Sequence, residues 1–375
     1  MPAGAGVTEF SPPELRRGAR EARRWATLTP VRIAQITSVY IPVPPPTHGG
    51  TELVVSLLSE ELVNRGHDLH LYASGDSRTA GELHAVVEKA TLDRADVTRY
   101  IDKEMEARNA FELYRDAGGY DVVHAHWPVL APYFASFTST PTLITYHYIE
   151  QELHDYYRRE IPNLHPVCVS RKQAELLGEP GLPVVYNGLD MARIPFNDAP
   201  SDYVVLVARM TPTKGVAEAI RIARAAGERL VLIGPVSSYL PWSKAFYDEQ
   251  VAPHIDGDRV VHVAEAPNAE TLDIVSRAKA FLFPLQWDEP FGLAMVESMA
   301  CGTPVVAFER GSVPELVADG VSGLIAGSEN EAASALAKAA SLDRRAVRAH
   351  VEERFTHRRM ADGYEALYRA LSSRS

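Results

Sequence analysis

Residues 31–66 read VRIAQITSVYIPVPPPTHGGTELVVSLLSEELVNRG, and this stretch decides the fold. Its first nine residues, VRIAQITSV, predict a strand, and the proline-rich PVPPPTHGG predicts a loop. TELVVSLLSEELVNRG (51–66) spaces its leucines and valines as a helix does and ends on Gly66, a stop signal. The same rhythm continues through HDLHLYAS, DVVHAHW, PTLITYH and HPVCVS, short runs rich in Val, Ile, Leu and Thr. Strands separated by helices and apolar along their whole length are buried on both faces, which predicts a parallel sheet in a doubly wound α/β domain.

The rhythm restarts near Ser201. DYVVLVARM predicts a strand, TPTKG a turn and VAEAIRIARAAG an amphipathic helix; RLVLIGPV, RVVHVAEA, KAFLFPLQ and TPVVAFE supply further strands. Two such blocks joined around IPFNDAPS (194–201) predict two Rossmann-like domains with a cleft between them. Ligands of such folds lie at the carboxyl ends of the strands, so the loops that follow them carry the chemistry. Residues 1–29 are expected to form a flexible tail outside the fold.

Composition narrows the function classes. The chain has 375 residues, enough for two domains of ordinary size, with 46% hydrophobic and 23% charged residues. No run approaches the roughly 18 apolar residues of a membrane span, and no signal peptide is apparent. The two cysteines, Cys168 and Cys301, give no disulfide framework, so a cytoplasmic location is expected. A net charge of −11 argues against a nucleic-acid surface. ELRRGAREARRW (14–25) is the basic exception and reads as a solvated tail or short exposed helix, with contact to anionic lipid or a partner as the alternative.

Four segments hold candidate site residues. HGGTE (48–52) puts Gly49 and Gly50 before a helix, where backbone amides can approach an anion; a plain turn is the alternative. ARMTPTKG (208–215) sets Arg209 at a strand end and Lys214 five residues on, a fork and a point charge that can converge on one diphosphate; two solvated cations around a turn are the alternative. It is not a P-loop, since the spaced glycines are absent. DEPFGLAMVESMACGTPVV (288–306) carries Glu289 and Glu297 on either side of a helix start. With Pro290 in the first turn, the free amides near Phe291, Gly292 and Leu293 would offer an anion site. Carboxylates beside an anion are unfavourable unless they accept hydrogen bonds, and sugar hydroxyls are natural donors. DGD (256–258) reads as a turn into the next strand.

EPFGLAMVESMACGTPVV, ARMTPTKG, YNGLD, HGGTE and TYH together resemble the retaining nucleotide-sugar glycosyltransferases of family four, of GT-B fold, in order from about residue 30 to the C-terminus. The resemblance implies an acceptor-side domain over 30–195, a nucleotide-sugar domain over 200–350, and a final helix (353–372) crossing back onto the first. It implies hexose transfer with retention, no metal and no cofactor, the nucleotide-diphosphate sugar being a substrate. It assigns Arg209 and Lys214 to the donor diphosphate, Glu289 to the donor sugar, Glu297 to the ribose, and amides of Phe291, Gly292 and Leu293 to the phosphate site. Gly49 and Gly50 would lie near the phosphates and acceptor, and His147 beside the reacting sugar. His126 and Tyr148 are acceptor-side candidates, and Asn187 fits the hinge.

The sequence departs from the family pattern at Ala208 and Ala264, where glycine is common. Ala264 lies in the loop bordering the nucleobase, so UDP and GDP both stay open. A nucleotide-sugar epimerase and a catalytically silent nucleotide-sugar-binding protein are the rival readings. The acceptor, whether small molecule, glycan or lipid-linked, is not specified by these motifs. Neither is the oligomeric state.

Overall fold

The computed structural model describes residues 29–47, 49–92, 94, 96–127, 129–237 and 241–373. The arginine-rich segment 14–25 and His48 lie outside the described residues.

Twelve strands among the described residues form two six-stranded sheets, parallel throughout. The first holds β1 (Arg32–Ile36), β2 (Asp68–Tyr72), β3 (Glu82–His84), β4 (Val122–Ala125), β5 (Thr142–Tyr146) and β6 (Leu164–Cys168), ordered β3-β2-β1-β4-β5-β6. The second holds β7 (Tyr203–Val207), β8 (Arg229–Ile233), β9 (Val260–Val263), β10 (Ala280–Phe283), β11 (Val305–Phe308) and β12 (Gly323–Ala326), ordered β12-β11-β10-β7-β8-β9. Counted from its own first strand, the second sheet repeats the order of the first. The strand order therefore reverses between β1 and β4 and again between β7 and β10, and doubly wound sheets open a crevice at such points.

Alternation along the strands builds the layers. Ile33, Val122 and Leu143 face one side of the first sheet, packed with Leu58 and Leu62 of the Gly50–Asn64 helix. Ala34, Val123 and Ile144 face the other, against Leu113 of the Arg99–Arg115 helix. The central strands β4, β5 and β10 are buried along their whole length, which explains their near-continuous apolar sequences. The two strands that the sequence pattern does not reveal, β3 and β12, both lie at sheet edges. In the DGD segment, Asp256 Oδ1 accepts from the amides of Asp258, Arg259 and Val260 at 2.7–2.9 Å, forming the expected turn into β9.

The chain crosses between the sheets twice, and the two crossings touch. Leu189 donates its amide to Phe355 O and accepts from His357 N, each at 2.9 Å. The final helix, His357–Ser372, starts four residues later than its expected bound, because Phe355 ends the Arg344–Arg354 helix and Thr356 caps the next by accepting from Arg359 N. That last helix lies on the first sheet. Tyr364 and Tyr368 are fully buried there, and their hydroxyls meet Thr145 Oγ1 at 2.8 Å and His124 Nδ1 at 2.6 Å.

Gly188, in YNGLD, abuts the second crossing: a Cβ there would stand 2.2 Å from Thr356 O. Gly188→Ala must push the crossings apart and is expected to cost about 1–3 kcal/mol, as overpacking does. A urea midpoint equal to wild type would show that the crossings do not need this approach.

Among the described residues, no helix is long and apolar enough to cross a membrane.

Candidate active site

Both switch points open onto one cavity of about 1150 Å³ between the sheets. The second sheet contributes the ends of four strands: Ala208 and Arg209 after β7, Gly234 after β8, Ala264 after β9, and Phe283 at the end of β10. The backbones after β7 and β8 approach closely here. A Cβ on Gly234, whose φ is +138°, would lie 2.1 Å from Ala208 O. The tight approach therefore uses the glycine at 234 and accommodates Ala208. Arg209 is exposed and, among the described residues, makes no ion pair.

Lys214 ends a short 3-10 turn, Pro212–Lys214. Gly215 follows at φ +71°, where a Cβ would lie 1.9 Å from Pro284 O, so the turn is pressed against the β10 loop. This packing brings Lys214 to Glu289. The Lys214 ammonium donates to Glu289 Oε2, which also accepts from Trp287 Nε1 at 2.8 Å. The ammonium stands 4.9 Å from the Trp287 ring centroid, a cation–π distance.

The backbone around Glu289 is clamped by a loop that motif reading misses. Asp288 Oδ1 accepts from Gly311 N at 2.9 Å, and Glu289 O accepts from Ser312 N at 3.0 Å. Gly311, at φ +53°, would place a Cβ 2.4 Å from Glu289 N and O. Ser312 Oγ donates to Phe291 O at 2.5 Å.

The helix start differs from the expectation. Gly292, at φ +86°, is the N-cap and the helix spans Leu293–Ala300, leaving Pro290 outside the first turn. Phe291 is buried near Tyr186 and Phe355, and Gly292, Leu293 and Ala294 line the cavity in its place. The helix-start residues that line the cavity thus sit about one residue further along than the sequence suggests. Glu297, on the second helical turn, also lines the cavity, and burial pushes its carboxyl up to about 7. Among the described residues, no side chain hydrogen-bonds that carboxylate.

The first domain forms the opposite wall. Gly49, at φ +149°, is the N-cap of the Gly50–Asn64 helix, and a Cβ there would lie 2.9 Å from both Glu52 Oε2 and Pro45 Cβ. Gly50 faces Leu293 across the cleft. Tyr40, after β1, and Trp127, after β4, meet edge to face at 5.8 Å on this wall. Glu52, 7% exposed, has its carboxyl raised by burial. Tyr40 and Trp127 follow the two strands that flank the switch point, and that rule was the available signal for them.

His147, His126 and Tyr148 do not line this cavity. His147 follows β5 and its Nε2 lies 3.1 Å from Nδ1 of the fully buried His126. Burial lowers both imidazoles, His147 to about 4, so both are neutral at pH 7. Tyr148 lines a smaller neighbouring cavity of about 190 Å³, together with Trp287 and Glu289, its ring centroid 5.9 Å from that of Trp287. Asn187 is buried beside the crossings, and its Oδ1 has no hydrogen-bond partner among the described residues.

Two facing doubly wound domains, with a charged cleft at their paired switch points, define a GT-B architecture. Two adjoining family models match the chain, "Glycosyltransferase Family 4" over residues 48–193 and "Glycosyl transferases group 1" over residues 192–355, and the chain belongs to the family-four glycosyltransferases. It is 30% identical over 256 residues to glycogen synthase of Mycobacterium tuberculosis, a match covering 60% of each chain. The match thus spans less than two thirds of that relative's length. Sucrose-phosphate synthase of Thermosynechococcus elongatus has the same fold, with a TM-score of 0.74 at 20% identity over 92% of this chain and 100% of that one. So does Anabaena HepE in complex with UDP-glucose, with a TM-score of 0.69 at 19% identity over 90% of this chain and 99% of that one.

Proposed function

We propose that this glycosyltransferase moves a hexose from a UDP- or GDP-linked donor to an acceptor hydroxyl with retention of anomeric configuration. The observation that carries the reading is the convergence of Arg209, Lys214, Glu289, Glu297 and the Leu293–Ala300 helix start on one interdomain cavity. The glycogen synthase relative and the UDP-glucose complex of the HepE protein support a nucleotide-sugar donor. Arg209 and Lys214 bind the diphosphate with the helix-start amides, Glu289 accepts from hydroxyls of the transferred sugar, and Glu297 from the ribose.

The anomeric carbon–phosphate oxygen bond breaks and the acceptor oxygen bonds the same face of that carbon. The acceptor proton passes to the departing phosphate oxygen. Preorganised cations and amides stabilise the charge that develops there. No carboxylate need form a covalent intermediate, and the transfer step uses no metal or cofactor. Tyr40, Trp127 and Glu52 form the acceptor side.

The test begins with UDP-glucose, UDP-N-acetylglucosamine and GDP-mannose in thermal shift. A donor at about 100 times its Kd stabilises by about 2.7 kcal/mol, so one of them is expected to raise Tm by several degrees. NMR of the product formed with that donor and an acceptor panel, in EDTA, is expected to show the donor's anomeric configuration. Failure of every nucleotide sugar to shift Tm would overturn the donor assignment. Conversion of the donor without acceptor would mark an epimerase.

A further inference from the structure

We propose that His70, Glu82 and His84 form a binding site for a zinc-class divalent cation at the outer edge of the first sheet, separate from the interdomain cavity. β2 and β3 pair in parallel with His70 opposite Glu82 and Tyr72 opposite His84. Strand side chains alternate faces, so this register sets all three potential ligands on one face. Their ligand atoms lie within 4.8 Å of one another.

The distances fit a metal coordination face. His70 Nδ1 is 2.9 Å from His84 Nε2, Glu82 Oε2 is 3.5 Å from His70 Nδ1, and Glu82 Oε1 is 3.4 Å from His84 Nε2. Tetrahedral ligands at about 2.0–2.1 Å from zinc stand about 3.3 Å apart. Each carboxylate oxygen serves one imidazole, so for a single oxygen to face both the Glu82 carboxylate, 64% exposed, must turn, and the imidazole pair needs to part by about 0.4 Å. Two imidazoles and a carboxylate suit zinc, nickel or copper and leave a fourth position for water.

The rings are already oriented. His84 stacks on Tyr72 at 4.5 Å with the planes 9° apart, and the Tyr120 ring meets His70 edge-on at 5.0 Å. Asp68 Oδ1 lies 3.3 Å from His70 Nε2, the outer nitrogen. It can take the proton there while Nδ1 binds the ion, the carboxylate–histidine–metal arrangement. Arg32 Nε and Nη2 also face His70 Nε2, each at 3.4 Å; as donors they bond Nε2 only in the ion-free tautomer and turn wholly to Asp68, 3.0 Å from Arg32 Nε, when Nε2 carries the proton. Without the ion, His70 Nδ1–H can instead donate to His84 Nε2; binding exchanges the two tautomers and needs no net proton release. His70 is 4% exposed, whereas the Glu82 side chain is 64% exposed, so an ion enters from the solvent side.

The position also carries a consequence. β3 is a three-residue edge strand, and the segment after it brings Thr91, Arg94 and Thr98 to the cavity wall. An ion shared by β2 and β3 would fasten the root of that segment.

The experiment is calorimetric titration of the full chain, without an added histidine tag, with zinc chloride, alongside visible absorption on adding cobalt(II). Wild type is expected to bind one equivalent and to give tetrahedral cobalt bands. Glu82→Gln and His84→Ala should each weaken zinc by about tenfold or more, with Tm in EDTA unchanged in Glu82→Gln, whose side chain is 64% exposed. Unchanged affinity in both variants would place the ion elsewhere. Absence of stoichiometric binding to wild type would show a hydrogen-bonded cluster only. Either result overturns the proposal.

Discussion

Lys214→Ala is expected to lower kcat/KM by about 10²–10³, the usual loss when one preorganised group facing developing charge is removed. Lys214 is firmly held in the cavity. Its side chain is 13% exposed, and it is fixed by Glu289, by the Trp287 face and by a turn that only glycine at 215 permits. In the proposed function, an arriving diphosphate competes with Glu289 for this ammonium and frees the carboxylate to accept a sugar hydroxyl. A purely structural ion pair makes a different prediction, because Lys214→Ala and Glu289→Gln would then have equal effects. If Lys214 binds phosphate, free UDP weakens in Lys214→Ala and is little changed in Glu289→Gln, while transfer falls in both. The double variant tests their coupling. Transfer near the wild-type rate in Lys214→Ala, with the fold intact by circular dichroism, would sink the assignment.

The parts of this molecule that were legible in the sequence are those where one physical requirement dominates. β4, β5 and β10 are buried on both faces, so their sequences are largely apolar and announce themselves. β3 and β12 are edge strands of three and four residues, and ELH, half-solvated, has no pattern to read. Arg209, Lys214, Glu289 and Glu297 were singled out by their places at strand ends and a helix start, where solvated cations and ordinary helix glutamates also occur, and all four line one cavity. Their convergence depends on Gly215 against Pro284 and Gly311 against Glu289, contacts between segments distant in sequence. The helix start was displaced for a local reason: Gly292 takes the left-handed conformation, so the helix begins after it rather than at Pro290. The histidines show the converse. His126 and His147 follow adjacent strands, yet they meet through their ring nitrogens at 3.1 Å outside the cavity lining.

Glu297→Gln is expected to make the donor-free protein more stable above pH 7 and its donor binding weaker. Burial lifts the Glu297 carboxyl from 4.5 to about 7, whereas the unfolded chain ionises near the ordinary value. Between those limits the folded protein holds the extra proton. Stability therefore falls as pH rises through this window, and the full penalty is present above it. The difference corresponds to about 3 kcal/mol at roughly 1.4 kcal/mol per pH unit. Glutamine carries no charge to desolvate, so its urea midpoint should exceed wild type clearly at pH 8 and by much less at pH 5. Donor binding has the opposite sign. Ribose hydroxyls are held best by the ionised carboxylate, so wild-type affinity for a nucleotide sugar should fall as pH drops below about 7, by up to about tenfold per unit. Diester phosphates of the donor do not titrate there, which isolates the protein group. In Glu297→Gln this slope disappears and affinity falls by about 10- to 100-fold at pH 8, the value of hydrogen bonds to a charged acceptor. A site tuned for its ligand at the expense of the empty fold shows this pairing of gain and loss. Equal midpoints at pH 8, together with pH-independent donor binding in both proteins, would remove Glu297 from the binding site.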